Sequence, residues 1–261
     1  MLKELHVWFP GYIQSIVKRK PLKYPVEILL AIADHFEPAQ KANDPPELQI
    51  SRVKEWVKRY EERFSSHQDS EGKVPKRTYF FPQEQYNREV LEILSEHCSK
   101  GFGEVEIHIH HDGDTQEEFV RKIETFKDQL ASHNLLCRDS MDGKIKYGFV
   151  HGNWALDNSR RDGRWCGLNN EITLLRDTGC YADFTLPSAP ADGQTRKVNS
   201  IYFATDNPTK PKSHNTGKDI SFGEHVKGDL LIIQGPLALN FKKRKALFLP
   251  GLEKGDVSVN N

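Results

Sequence analysis

Apolar and polar positions alternate most clearly over Glu104–His110. Val105, Ile107 and Ile109 fall on one side, and Glu106, His108 and His110 on the other, which predicts a strand. The alternation stops at His111, and Asp112-Gly113-Asp114 predicts a turn. Thr115 followed by Glu118 reads as a capping box, and Phe119, Ile123, Phe126 and Leu130 then recur at helical spacing. Val26–Ala33 is a short, near-continuous apolar run of the kind expected for a strand buried on both faces, and it ends in Asp34-His35. Ile50, Val53, Trp56, Val57, Tyr60 and Phe64 mark an amphipathic helix, and Tyr86, Val90, Ile93, Leu94 and Cys98 another. Together the patterns predict short strands at about 26–34, 77–81, 104–110, 146–151, 180–185, 200–204 and 229–233. The first 23 residues give only a turn at Pro10-Gly11 and a basic patch, and the tail from Asn240 gives no clear element.

Strands alternating with helices argue an α/β fold with a parallel sheet or barrel. The expected organisation is an extension over 1–23, one domain over 24–235 and a tail over 236–261. Composition removes several function classes. Among 261 residues, 37 Lys and Arg balance 37 Asp and Glu, so no net field points to nucleic acid or an anionic membrane. No run approaches the ~18 apolar residues of a membrane span. The start, MLKELHVWFPGYIQ, lacks a signal-peptide layout, so a cytoplasmic location is expected. Cys98, Cys137, Cys166 and Cys180 lie far apart and read as reduced, mostly structural thiols. Oligomeric state is open.

The candidate chemistry gathers at strand ends. Asp34-His35, His108–Asp114 and His151–Trp154 all follow predicted strands, where α/β folds place their ligands. A lone strand histidine is usually a satisfied core residue, and the alternative for Asp34 is a plain turn cap. Three histidines in four positions followed by two carboxylates are a different matter, because imidazole and carboxylate together suit a divalent metal. Zn2+ is the first expectation, with Fe, Mn or Co as alternatives.

The order of these motifs resembles the polysaccharide deacetylase family, the NodB-homology domain of the carbohydrate esterases. Leu29–Pro38, LLAIADHFEP, stands where the family has a strand ending in two aspartates. Thr78-Tyr79-Phe80-Phe81 is similar to its Thr-Phe-Phe-Val strand. Glu106-Ile107 leading to His110 resembles its Glu-Ile strand and His-x-x-x-His metal motif, and LLRDTGCYADFT resembles the passage that carries Asp183. The resemblance covers about residues 24–235 and implies a distorted, incomplete parallel (β/α) barrel of about seven strands. It departs in places. His35 stands for the second aspartate, and Asp114 for the second histidine. The Arg-Pro-Pro motif is replaced by the region of His151, and Gln234 falls where the family's last histidine is expected, which suggests a truncated C-terminus.

The resemblance implies a metal-dependent hydrolase that deacetylates N- or O-acetylated sugars. His35 and His110 would hold the metal, with Asp114 or His108. Asp34 would act as base and His151 as acid. His111, Asn153, Trp154 and Asp183 would line the carbohydrate, with Trp154 and Tyr181 offering it an apolar face. Two rivals remain: a catalytically silent carbohydrate-binding barrel, and a different metal hydrolase on the same scaffold.

Overall fold

The structure is a computed structural model describing residues 3–21, 23–221, 223–246 and 249–255. Parts of the expected extension (residues 1, 2 and 22) and of the expected tail (247, 248 and 256–261) lie outside the described residues. In chain order the helices and strands are α1 Leu5–Val17, β1 Ala33–His35, α2 Pro46–Phe64, β2 Arg77–Pro82, α3 Arg88–Ser99 and β3 Gly103–Ile109. Then follow α4 Gln116–Ser132, β4 Tyr147–His151, α5 Glu171–Asp177, β5 Cys180–Asp183 and β6 Ile201–Ala204. The last are β7 Gly217–Asp219, β8 Leu230–Ile233, β9 Leu237–Ala246 and β10 Leu249–Lys254. The fold is α/β: an eight-stranded, mostly parallel sheet in the order β1-β2-β3-β4-β5-β8-β6-β7, interleaved with helices. β6 runs antiparallel to both β7 and β8, and β9 and β10 form a separate antiparallel pair. Among the described residues no helix is long and apolar enough to cross a membrane.

The chain divides into two compact units. The first comprises Glu27–His110 and Glu117–Val150; the second comprises Met1–Val26, His111–Gln116 and His151–Asn261.

In the first unit β3 is buried from Val105 to Ile109, so both of its faces are covered, not only the apolar one. Val105, Ile107 and Ile109 are fully buried, as are Tyr79 and Phe81 on β2. The helices contribute Val90, Leu91 and Leu94 from α3 and Phe119, Ile123, Phe126 and Leu130 from α4, the stripe their spacing predicted. α3 begins where the Asn87 side chain accepts from the Glu89 and Val90 amides, at 3.0 and 3.3 Å. The polar positions of β3 are partnered from β4. Glu106 Oε2 accepts from the Gly148 amide at 2.5 Å, and His108 Nδ1 meets the Val150 carbonyl at 2.9 Å.

One strand is much shorter than its sequence suggests. β1 covers only Ala33–His35, pairing with Thr78–Phe80, whereas Ile28, Leu29 and Leu30 are more than 85% exposed (86%, 89% and 86%). The cause is partner length. β2 begins at Arg77, so residues before Ile32 have no strand beside them to complete a ladder, and apolar content alone does not make a strand.

The second unit contains four elements that the pattern missed: α1, the short edge strand β7, and the β9–β10 pair. α1 forms across Pro10-Gly11 because Trp8 is fully buried against Ala189, Val198 and Leu237, with Phe9, Tyr12, Leu239 and Leu252 at its margin. Packing there overrides a poor local propensity. Gly11 is required by contact: a Cβ would sit 1.9 Å from the Arg196 carbonyl oxygen. The β9–β10 pair lies in the expected tail and supplies Leu237, Leu239 and Leu252 to the same cluster.

Ile107→Ala should cost ~2–5 kcal/mol, the price of a fully buried aliphatic side chain. Leu29→Ser should stay within ~0.5 kcal/mol of the parent. Urea denaturation of the two variants checks the shortened β1: equal losses would mean that Val26–Ile32 is buried after all.

Two candidate metal centres

Successive residues of β1 point to opposite faces. Asp34 turns to Arg77, whose Nε lies 2.9 Å from Oδ2 and whose guanidinium stacks 4.8 Å from the Trp56 ring. Burial pushes the Asp34 carboxyl above its ordinary range, and Arg77 pulls it partly back. His35 faces the other way. The Phe36 amide bonds to the Phe80 carbonyl at 3.1 Å, which carries the extended chain past β1 and puts Glu37 on the side of His35.

There the first unit assembles a histidine cluster. His35 packs edge-on to His108, with ring centroids 5.0 Å apart, and His108 to His110 at 4.5 Å. Because His108 Nδ1 is engaged by the Val150 carbonyl, its Nε2 is the nitrogen turned to Glu37, 3.5 Å from Oε1. His110 Nε2 lies 3.9 Å from the same oxygen, and its Nδ1 is 2.5 Å from Glu84 Oε1. Donor atoms of His35, Glu37 and His108 all lie within 4.8 Å of one another. His108 is fully buried, but Glu37 is 37% exposed, so the group has an open side. The neighbouring His108 imidazole draws the Glu37 carboxyl below its ordinary value against the effect of burial, and the other imidazoles add to this. Glu84 raises the His110 imidazole, so that ring holds its proton more firmly than a free histidine.

The second unit builds a closed cluster. His151, the last residue of β4, places Nδ1 2.5 Å from the Gly152 carbonyl and Nε2 3.4 Å from Glu171 Oε1. His111 Nε2 reaches the same oxygen at 3.1 Å, while its Nδ1 stands 4.0 Å from Asp114 Oδ2. Glu171 Oε2 accepts from the Asp157 amide at 2.6 Å and lies 3.4 Å from Cys166 Sγ. The loops carrying these residues are fastened together. The Gly113 amide bonds the Cys166 carbonyl at 2.9 Å, and the Trp165 amide bonds Asp112 Oδ1 at 2.7 Å. Gly167, at φ 94°, leaves room for Gly113: a Cβ there would meet the Gly113 Cα at 3.2 Å. The buried group His111, His151, Cys166 and Glu171 could hold a metal ion.

Burial pushes the Glu171 carboxyl up, but the His151 and His111 imidazoles and the Asp157 amide together outweigh it and bring it down to about 2. Burial drives its neighbours the other way. Asp183 is pushed up to about 7 although Thr185 donates to it, and Asp157 to about 8 although Ser213 does. His214 is pushed down to about 3 by burial and by Lys212.

The residues singled out in the sequence thus fall into two groups. His35, His108 and His110 come together in the first unit, beside Glu37 and Glu84, while Asp34 is taken by Arg77. His111, Asp114 and His151 belong to the second unit. So does Asp183, which is fully buried and bound by Thr185 Oγ1 at 2.6 Å; that same hydroxyl accepts from the His151 amide at 2.8 Å. Asn153 and Trp154 follow His151 in a left-handed backbone, φ 57° and 54°, and Trp154 is half exposed with Lys254 over its ring. Glu37, Glu84, Cys166 and Glu171 went unnoticed as functional residues. Only Glu37 carried a usable signal: two positions beyond His35 in an extended chain is the same face. Comparison with protein-family models, with curated proteins and with solved structures finds no match.

Two outcomes are expected. Asp34→Asn should lower stability by ~1–3 kcal/mol, because it leaves the partly buried Arg77 without its counter-charge, and should leave metal content unchanged. Metal lost at unchanged stability would place Asp34 at the metal and not with Arg77. The second concerns pH. Above about 6.5 His214 is neutral folded and unfolded alike; between about 6.5 and about 3 only the unfolded chain takes the proton, so stability falls as the solution is acidified. Measured across pH 8 to 4, His214→Gln should recover stability relative to the wild type below about 6.5. A difference independent of pH would contradict this.

Proposed function

We propose that this protein is a metal-dependent hydrolase whose reacting centre is the open cluster of His35, Glu37 and His108. One observation carries the reading: two imidazoles and a carboxylate converge within 4.8 Å at the carboxyl ends of parallel strands, with one side open. Three protein donors with a vacant direction are the arrangement of catalytic sites, and a nitrogen and oxygen donor set suits Zn2+, with Fe, Mn or Co as alternatives. A divalent metal held there supplies Lewis-acid polarisation of a carbonyl and a water of lowered pKa.

The protein's own groups do the rest. The Val150 carbonyl fixes the His108 tautomer, so that Nε2 is the donor offered to the site. His110 and Glu84 form a proton-holding pair beside it. We assign the acid role to His110 and not to His151, the candidate the sequence offered in place of the family's last histidine, because His110 is about one-third exposed and His151 is fully buried. In amide hydrolysis the C–N bond breaks, the acyl carbon keeps the water oxygen as acetate, the departing nitrogen takes a proton from the His110 imidazolium, and the proton released by the attacking water restores that imidazolium. The acetylated carbohydrate substrate rests on the deacetylase resemblance, as does the incomplete (β/α) barrel. A different metal hydrolase would use the same groups on another acyl substrate.

The test is acetate release from N-acetylglucosamine oligomers and from acetylated sugars, together with hydrolysis of an activated aryl acetate, at known metal occupancy. His108→Ala should lose at least tenfold in metal affinity at this centre, and activity with it. Glu84→Gln should keep the metal and lower the rate ~10²-fold or more by weakening proton delivery. Wild-type rates in His108→Ala would remove this centre from the reaction. A wild type that binds metal and sugar yet hydrolyses nothing would replace the enzyme by a carbohydrate-binding module.

A further inference from the structure

The second unit holds a donor set of a different kind. We infer that His111, His151, Cys166 and Glu171 form a closed, tetrahedral metal site whose resident ion is structural zinc, independent of the hydrolytic centre proposed above.

Geometry is the first ground. Two donors ~2.0–2.3 Å from one zinc at the tetrahedral angle stand ~3.3–3.7 Å apart. Glu171 Oε1 is 3.1 Å from His111 Nε2 and 3.4 Å from His151 Nε2, its Oε2 is 3.4 Å from Cys166 Sγ, and one donor atom from each of the four residues lies within 4.8 Å of the others. These spacings suit a shared ion after small adjustments of the side chains.

The second ground is orientation. The Gly152 carbonyl engages His151 Nδ1, which leaves Nε2 as the lone-pair nitrogen aimed at the group. Asp114 stands behind the far nitrogen of His111, in the place where a carboxylate commonly supports a ligating histidine. Cys166 Sγ faces the Asn158 amide at 3.2 Å and the Leu168 amide at 3.5 Å. Burial and Glu171 push the Cys166 thiol up, but backbone N–H groups directed at sulfur would support the thiolate once an ion displaces its proton.

The third ground is charge and closure. A carboxylate and a thiolate balance a divalent ion, so the group is neutral where no water can compensate it. All four side chains are buried, which leaves no position for a substrate. Four donors including sulfur, closed to solvent, is the structural pattern, as three donors with an open side is the catalytic one. The ion would tie the turn after β3 and the end of β4 to Cys166 and Glu171, in the loop before α5 and at its first residue.

Cobalt distinguishes this site from the open one, because only a thiolate ligand gives a sulfur-to-metal charge-transfer absorption in the near ultraviolet. The full chain is loaded with Co2+ and its metal counted. The wild type should bind two ions and show the thiolate band. Cys166→Ser should lose one ion and the band, whereas His108→Ala should lose the other ion and keep the band. A folded, cobalt-loaded wild type without the band would overturn the proposal, even where Cys166→Ser fails to fold. So would a band that survives in Cys166→Ser, since that assigns it to another thiol. Loss of hydrolysis in His108→Ala bears on the open centre alone, and the band reads only this one.

Discussion

β3 is buried on both faces yet carries Glu106 and His108, and the surrounding structure must satisfy both. A buried polar group without a partner costs more than most single contacts contribute. The solution here is backbone from the neighbouring strand: the Gly148 amide serves Glu106, and the Val150 carbonyl serves His108. The second contact has a chemical consequence. With Nδ1 held by a carbonyl, His108 presents Nε2 as a lone pair at the end of a rigid strand, and Glu37 and His35 meet it from β1 and the residues just beyond. A requirement of folding has thereby fixed the tautomer and direction of a ligand.

Much of this was legible in the pattern of residues. The alternation through Glu104–His110 named the strand, and the helical stripes on either side named what covers it. The histidines at its end stood out in the sequence, and the fold draws them into two clusters. Their partners did not stand out. Glu171 sits at the start of a short helix and Cys166 in a loop, 60 and 55 residues beyond His111, and no local period links such positions. Long-range convergence is a property of the folded chain. Val26–Ile32 failed for another reason: an apolar run reports preference for burial, but the ladder that would bury it depends on where β2 starts. α1 and the β9–β10 pair failed together, because each is stabilised by the same Trp8 cluster and neither carries a strong signal alone.

The two histidine clusters show how burial sorts similar ligands into different chemistries. Each contains two imidazoles and a glutamate, and each has a histidine whose Nδ1 is occupied by a backbone carbonyl. At the open cluster, Glu37 remains partly hydrated, and a neighbouring His110–Glu84 pair can exchange protons with solvent. At the closed cluster, water is gone, a fourth donor is added in Cys166, and the nearby carboxylates of Asp157 and Asp183 are driven toward their neutral forms. Neutral neighbours limit the negative charge that a buried Glu171 would otherwise share its surroundings with. That arrangement favours a fixed charge held permanently in place. The open cluster, with a side facing water and a proton-holding partner at hand, favours charge that changes during a reaction.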